Sequence, residues 1–239
     1  DRSPSRGLGD VYKRQVLDTS GSMGGDFGDE EIYEPTYDTG AGLFTGNRYV
    51  LDNGEYKQLT KVSDGWFSYH WELDGNRISF KTSASDNDPD HYQMYILRNA
   101  TRMDSLKEAV GNFIDETVKI NNDIADTEDK HHISIVSYAE GSNIVAGLQE
   151  CSDDNKQSLM TAVDNLNANG STYADSGMDS AKTVLSRSRD NAKKVVIFFT
   201  DGEPNHGNGF DGSVANDAIG TAKELKDDNA LIYTIGIFD

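Results

Sequence analysis

Residues 16–23 read V-L-D-T-S-G-S-M, and this stretch decides the fold. It sets Asp18, Ser20 and Ser22 at alternate positions, directly after a short apolar run that reads as the end of a buried strand. Carboxylate and hydroxyl oxygens are hard ligands, suited to Mg²⁺ or Mn²⁺ and poorly suited to zinc. Gly21 lets the backbone turn tightly enough for three alternate side chains to converge. Ser and Gly also crowd ordinary loops, so a metal reading needs further ligands from elsewhere in the chain. Two stretches offer them. Residues 169–178, N-G-S-T-Y-A-D-S-G-M, carry Thr172 in a Gly-Ser loop just before a helical pattern. Residues 195–205, V-V-I-F-F-T-D-G-E-P-N, carry Asp201 straight after an apolar run.

In this order, the three pieces resemble the von Willebrand factor A family, also called the integrin I-domain-like family. Its metal-ion-dependent adhesion site (MIDAS) is built from a D-x-S-x-S loop, a Thr and a T-D-G loop. The resemblance covers residues 16–23 and 101–239. It implies Asp18, Ser20, Ser22, Thr172 and Asp201 as metal ligands and Mg²⁺ or Mn²⁺ as the ion. The two carboxylates balance the charge, the hydroxyls add neutral oxygens, and water completes an octahedron. One position then stays open, in this family typically for a carboxylate from a protein partner.

The fold expected around these loops is α/β. "KKVVIFF" and "ALIYTIGIF" are continuous apolar runs, as suits parallel strands buried on both faces. "HHISIVSYAE" and "NIVAGLQE" read as strands joined by a tight Glu140-Gly141-Ser142 connection, hence antiparallel. Met103, Leu106, Val110, Phe113, Ile114 and Val118 trace a helical stripe, with Thr101 or Asp104 as its cap. Further helices are expected through Leu159–Leu166, from Tyr173 to Leu185, and over residues 214–227. Strands and helices alternating in this way predict a doubly wound, mostly parallel, Rossmann-like sheet. Loops at the carboxyl ends of its strands meet at the topological switch point, where ligands bind. The family pattern continues with another helix, a strand and a closing helix, so the resemblance implies that the fold is truncated at Asp239.

Residues 24–100 interrupt this pattern with Gly, Tyr, Trp and Asp and with period-two alternation. Asn53-Gly54 and Asp74-Gly75 each sit between alternating segments, a strong hairpin signal because both residue types tolerate positive φ. Trp66, Tyr69, Trp71, Ile78 and Phe80 are the expected face residues, and a last strand is expected at Tyr92–Leu97. The reading is a β-rich insertion that serves as a specificity-determining arm beside the metal, like those in A domains of Gram-positive pilus-tip adhesins. The acidic run Asp26, Asp29, Glu30, Glu31 and Glu34 reads as a solvated loop, with an additional Ca²⁺ as its functional alternative.

Residues 10–15, D-V-Y-K-R-Q, back-translate to GATGTGTATAAGAGACAG, a transposon end used in preparing sequencing libraries. Residues 1–15 are therefore expected to be a non-native, adapter-derived segment joined to a truncated gene. The basic Y-K-R-Q also sits where a central strand should be apolar.

Composition limits function. The 239 residues carry 22 Lys and Arg against 41 Asp and Glu, a net charge of −19 that argues against nucleic acid or an anionic membrane as partner. No apolar run approaches the ~20 residues needed to span a bilayer. The single cysteine, Cys151, excludes an internal disulfide framework and any Cys-based metal site. An acylphosphate phosphotransferase would want a second Asp where Ser20 stands. A serine hydrolase would want G-x-S-x-G and a positioned His, and His70, His91, His131, His132 and His206 have no convincing partners in the sequence. No Walker A loop is present. The expectation is a non-enzymatic, metal-dependent adhesion module on a bacterial cell surface, binding a host or matrix protein that presents a carboxylate. The alternative is a subunit scaffolding an intracellular metal-chelatase or ATPase-partner assembly.

Overall fold

The computed structural model describes residues 11–65, 68–188, 192–207 and 209–238. Residues 1–10 of the expected adapter segment and Trp66 lie outside the described residues. In chain order the strands and helices are β1 (Val11–Asp18), β2 (Asp26–Thr36), β3 (Tyr49–Asp52), β4 (Glu55–Gln58), β5 (Thr60–Gly65), β6 (Ser68–Leu73), β7 (Asn76–Arg77), β8 (Ser79–Phe80), β9 (His91–Tyr92) and β10 (Met94–Thr101). There follow α1 (Arg102–Asn122), β11 (His132–Tyr138), β12 (Ser142–Glu150), α2 (Asp153–Asp164), α3 (Ala174–Leu185), β13 (Lys193–Thr200), α4 (Gly212–Asp227) and β14 (Leu231–Gly236). Two compact units result: one from the residues up to Phe27 together with those from Thr101 onward, the other from Gly28–Ala100.

The first unit is a five-stranded sheet in the order β12-β11-β1-β13-β14. β1, β11, β13 and β14 run parallel, and β12 returns antiparallel to β11 through the tight 139–141 connection. Alternation along each strand sends side chains to two helical layers. Leu17, Ile133 and Ile135 join Met103, Leu106, Val110 and Ile114 of α1 and Leu159 and Val163 of α2 on one face. Val16, Val136 and Val196 join Met178, Ala181 and Val184 of α3 and Val214 and Leu225 of α4 on the other. Each fully buried aliphatic side chain contributes ~1.5–3 kcal/mol, so two such layers hold the strand ends in place. Thr101 closes α1 with a capping box shared with Asp104. Cys151 is buried beside α1, its Sγ donating to the Ile114 carbonyl at 3.5 Å, and burial pushes its thiol up to about 11.

Residues 11–15 form the first part of the central strand, so the sheet begins upstream of Val16. Tyr12 pairs with His132, and Gln15 lies between Ile135 and Ile197. Their side chains keep the polar character that marks them in the sequence. Arg14 is fully buried, its Nη2 donating to the Val184 carbonyl at 3.5 Å. Gln15 is fully buried as well, and its amide has no hydrogen-bond partner among the described residues. Lys13 lies 5.0 Å from the centre of the Phe113 ring, and burial pulls its ammonium below the usual range.

In the second unit, β3 and β4 turn through Asn53 (φ 52°) and Gly54 (φ 85°), and β6 and β7 turn through Asp74 (φ 50°) and Gly75 (φ 79°). Val50, Leu59, Trp71, Leu73 and Met94 form its own small core, with Ile78 and Phe80 packed against them. Two expectations change. The acidic run is a strand rather than a loop: β2 lies at the edge of the sheet β2-β10-β3-β4, where charged residues and Pro35 are tolerated. Its side chains alternate between faces, and Glu34 pairs with Arg98 at 2.6 Å. The last strand runs over Met94–Thr101 instead of Tyr92–Leu97, because His91 and Tyr92 pair separately with β8.

Candidate metal centre

Asp18 is the last residue of β1, and both of its oxygens are engaged. Oδ1 accepts from the Ser20 amide at 2.9 Å; Oδ2 accepts from the Thr200 hydroxyl at 2.9 Å. The Tyr138 hydroxyl reaches the same Oδ2 at 3.2 Å and the Phe199 carbonyl at 3.0 Å, so its one proton goes to one of them at a time. Burial, then the Asp18 charge, push the Tyr138 hydroxyl well above its usual range, so it stays a donor.

After Asp18 the chain turns over Ser20 into a single 3-10 turn, Gly21–Gly24. Ser20 Oγ and Ser22 Oγ lie 3.0 Å apart, and Ser22 Oγ donates to Asp201 Oδ1 at 2.8 Å. Asp201 follows β13 directly. Its side chain is fully buried, and its Oδ2 has no hydrogen-bond partner among the described residues. Burial, first, pushes its carboxyl up, with the Asp18 charge adding to that; the Ser22 hydroxyl pulls the other way.

Thr172 comes in on a third loop. The Gly21 amide donates to the Gly170 carbonyl at 2.9 Å and the Asn169 amide to the Thr19 carbonyl at 2.8 Å, docking that loop on the first. Thr172 and Asn205 exchange backbone hydrogen bonds at 3.3 and 3.0 Å, tying it to the loop after β13. A Cβ at Gly21 would lie 3.3 Å from the Gly170 carbonyl, so any side chain there would push the two loops apart by a few tenths of an ångström.

Asp18, Ser20, Ser22 and Asp201 thus form one hydrogen-bonded set, and the Thr172 loop is fastened against it. Sequence reading missed Tyr138, Thr200, Asn205 and Arg102. Thr200 stands within the quoted T-D-G, whereas Tyr138 and Arg102 carry no local signal because only the sheet order and the α1 entry bring them in. Among the described residues no cluster of three or more His, Cys, Asp or Glu is placed to hold a metal; the hydrogen-bonded set has two carboxylates and the Ser20 and Ser22 hydroxyls, while the Thr172 hydroxyl accepts from Asn205 Nδ2 at 3.4 Å. The donor set fits a hard divalent cation, and Asp201 Oδ2, buried without a hydrogen bond among the described residues and 4.0 Å from Arg102 Nη1, is an oxygen such an ion would satisfy.

Fold and loop cluster define an α/β domain whose switch point gathers carboxylate and hydroxyl oxygens. The von Willebrand factor type A domain profile matches residues 98–239, more than half of the chain, and the chain belongs to that family. The matched span includes Thr172 and Asp201 but not the 16–23 loop. No curated protein shows a match to the sequence. Among solved structures, the PilB minor pilin from Streptococcus sanguinis is similar, at 15% identity over 99% of this chain and 52% of that one, with a TM-score of 0.52. The pilus adhesin SpaC from Lactobacillus rhamnosus GG is similar at 14% identity over 97% of this chain and 25% of that one, with a TM-score of 0.53. At these identities the likeness is one of fold, and the chain spans about half of PilB and a quarter of SpaC.

Proposed function

We propose that this domain is a non-enzymatic, metal-ion-dependent protein-binding module of a bacterial cell-surface protein. The observation that carries the reading is Asp201 Oδ2, a buried carboxylate oxygen without a hydrogen-bond partner among the described residues, in a cluster that already holds Asp18. Two carboxylates buried this close are costly unless opposite charge compensates them, and the Arg102 guanidinium, 4.0 Å from Oδ2, does so only in part. Asp18, Ser20, Ser22, Thr172 and Asp201 would hold Mg²⁺ or Mn²⁺. A cation bound there supplies positive charge for an outside carboxylate, which a chain of net charge −19 would otherwise repel. Thr200 and Tyr138 hold Asp18 in position from behind, and Asn205 holds the Thr172 loop. The likeness to a minor pilin and a pilus adhesin supports placing the module at the cell surface; the partner in this reading is a host or matrix protein that presents a carboxylate.

Asp201→Ala tests the site. Calorimetric titration of Mg²⁺ and Mn²⁺ should give one ion per wild-type chain at millimolar concentration or below, and no uptake by the variant. A wild type that takes up neither ion refutes the proposal.

A further inference from the structure

Arg102 is the first residue of α1, where the helix dipole favours acidic side chains over basic ones. Its guanidinium turns back over the candidate metal centre. Nη1 donates to the Ser22 carbonyl at 3.2 Å and lies 4.0 Å from Asp201 Oδ2, and the Arg102 amide donates to the Gly25 carbonyl at 3.1 Å. Gly25 makes the room: a Cβ there would come within 2.5 Å of Nη1. Gly25 has an ordinary φ of −69°, so its backbone conformation does not call for glycine.

We infer that Arg102 is a resident counter-charge that sets the divalent-ion affinity of the Asp18–Asp201 centre, holding it below what the five oxygen donors alone would give. The inference rests on the metal reading above. Without an ion, the guanidinium offsets part of the repulsion between two buried carboxylates. Once an ion is present, the same fixed charge opposes it. A single and a double positive charge about 6 Å apart repel, even in water, by about tenfold in a binding constant. Partial burial of the Arg102 side chain limits screening by salt.

The test uses the full chain and Mn²⁺ alone, by calorimetry with thermal melts alongside. Arg102→Gln should bind Mn²⁺ about tenfold more tightly than wild type. Arg102→Lys keeps the charge and should stay within about twofold of wild type. Gly25→Ala displaces the Arg102 guanidinium and leaves net charge unchanged, its Cβ also lying 3.2 Å from the Ser22 carbonyl, and it should tighten binding about threefold. If Arg102→Gln fails to fold, Gly25→Ala decides. Unchanged or weaker Mn²⁺ binding in a folded Arg102→Gln, with the wild type still binding, overturns this inference and leaves the metal reading standing. Absence of uptake by wild type and all three variants overturns the two together.

Discussion

Replacing Gln15 with leucine should stabilise this protein, although most core substitutions do the reverse. Gln15 sits in the middle of the central strand, wholly buried, between Ile135 and Ile197 on the face that packs against α1 and α2. Its amide carries donors and an acceptor with no hydrogen-bond partner among the described residues. Leaving such groups buried and unsatisfied costs ~1–3 kcal/mol. Leucine has similar bulk, removes the polar atoms, and gains ~1 kcal/mol of apolar burial. Part of that gain is lost to the change of shape in a packed core, so the net expectation is about 2 kcal/mol. For a chain of this size each kcal/mol moves the melting midpoint by roughly 2–4 °C, giving a rise of roughly 4–8 °C for Gln15→Leu. Differential scanning calorimetry in EDTA measures it free of any contribution from bound metal. A midpoint equal to or below that of wild type would show that the amide is satisfied in solution, and the reasoning about this strand would be wrong.

Two further outcomes follow from the fold and its charges. Replacing residues 28–100 with a short Gly-Ser linker should leave the remaining unit folded with one cooperative transition and Mn²⁺ uptake unchanged; a broad, non-cooperative melt would show that the unit needs the insertion. Asp86 accepts from the His91 ring at 2.9 Å, an interaction that raises the imidazole above its ordinary 6.5 and lowers the carboxyl below its ordinary 3.8. The histidine's contribution to stability is full below pH ~6.5 and fades as pH rises through its raised folded value; the aspartate's is full above pH ~3.9 and fades as pH falls through its lowered one. NMR titration should therefore place His91 above 6.5 and return it toward that value in Asp86→Asn; an unshifted wild-type imidazole would contradict the pairing.

Much of this architecture could be read from local chemistry. Apolar runs such as 195–199 can be satisfied only between two helical layers, and the Glu140-Gly141-Ser142 turn forces its flanking strands antiparallel. The three loops of the centre were recognisable because each ligand follows an apolar strand or precedes a helical stripe. What stayed hidden depends on long-range pairing. The run from Asp26 to Glu34 looks solvated because nothing in its composition announces β10, more than 60 residues on, as its neighbour. Tyr138 reads as one more strand residue until the order β11-β1-β13 brings its hydroxyl to Asp18. Gly177 gives no clue either, yet a Cβ there would lie 2.8 Å from the Tyr138 ring, so the close contact of α3 with β11 depends on its having none.

The buried Cys151 has a practical consequence. With its thiol at about 11, roughly one molecule in ten thousand carries a thiolate at pH 7, and the sulfur is shielded from reagents in solution. Toward maleimides and nitroxide reagents the chain behaves as though it had no cysteine. A cysteine introduced on the insertion and another on α4 would then be the two sites that accept a probe. Distances between the insertion and the sheet domain could be followed by fluorescence or spin labelling, with and without Mg²⁺, and Cys151 could be left in place.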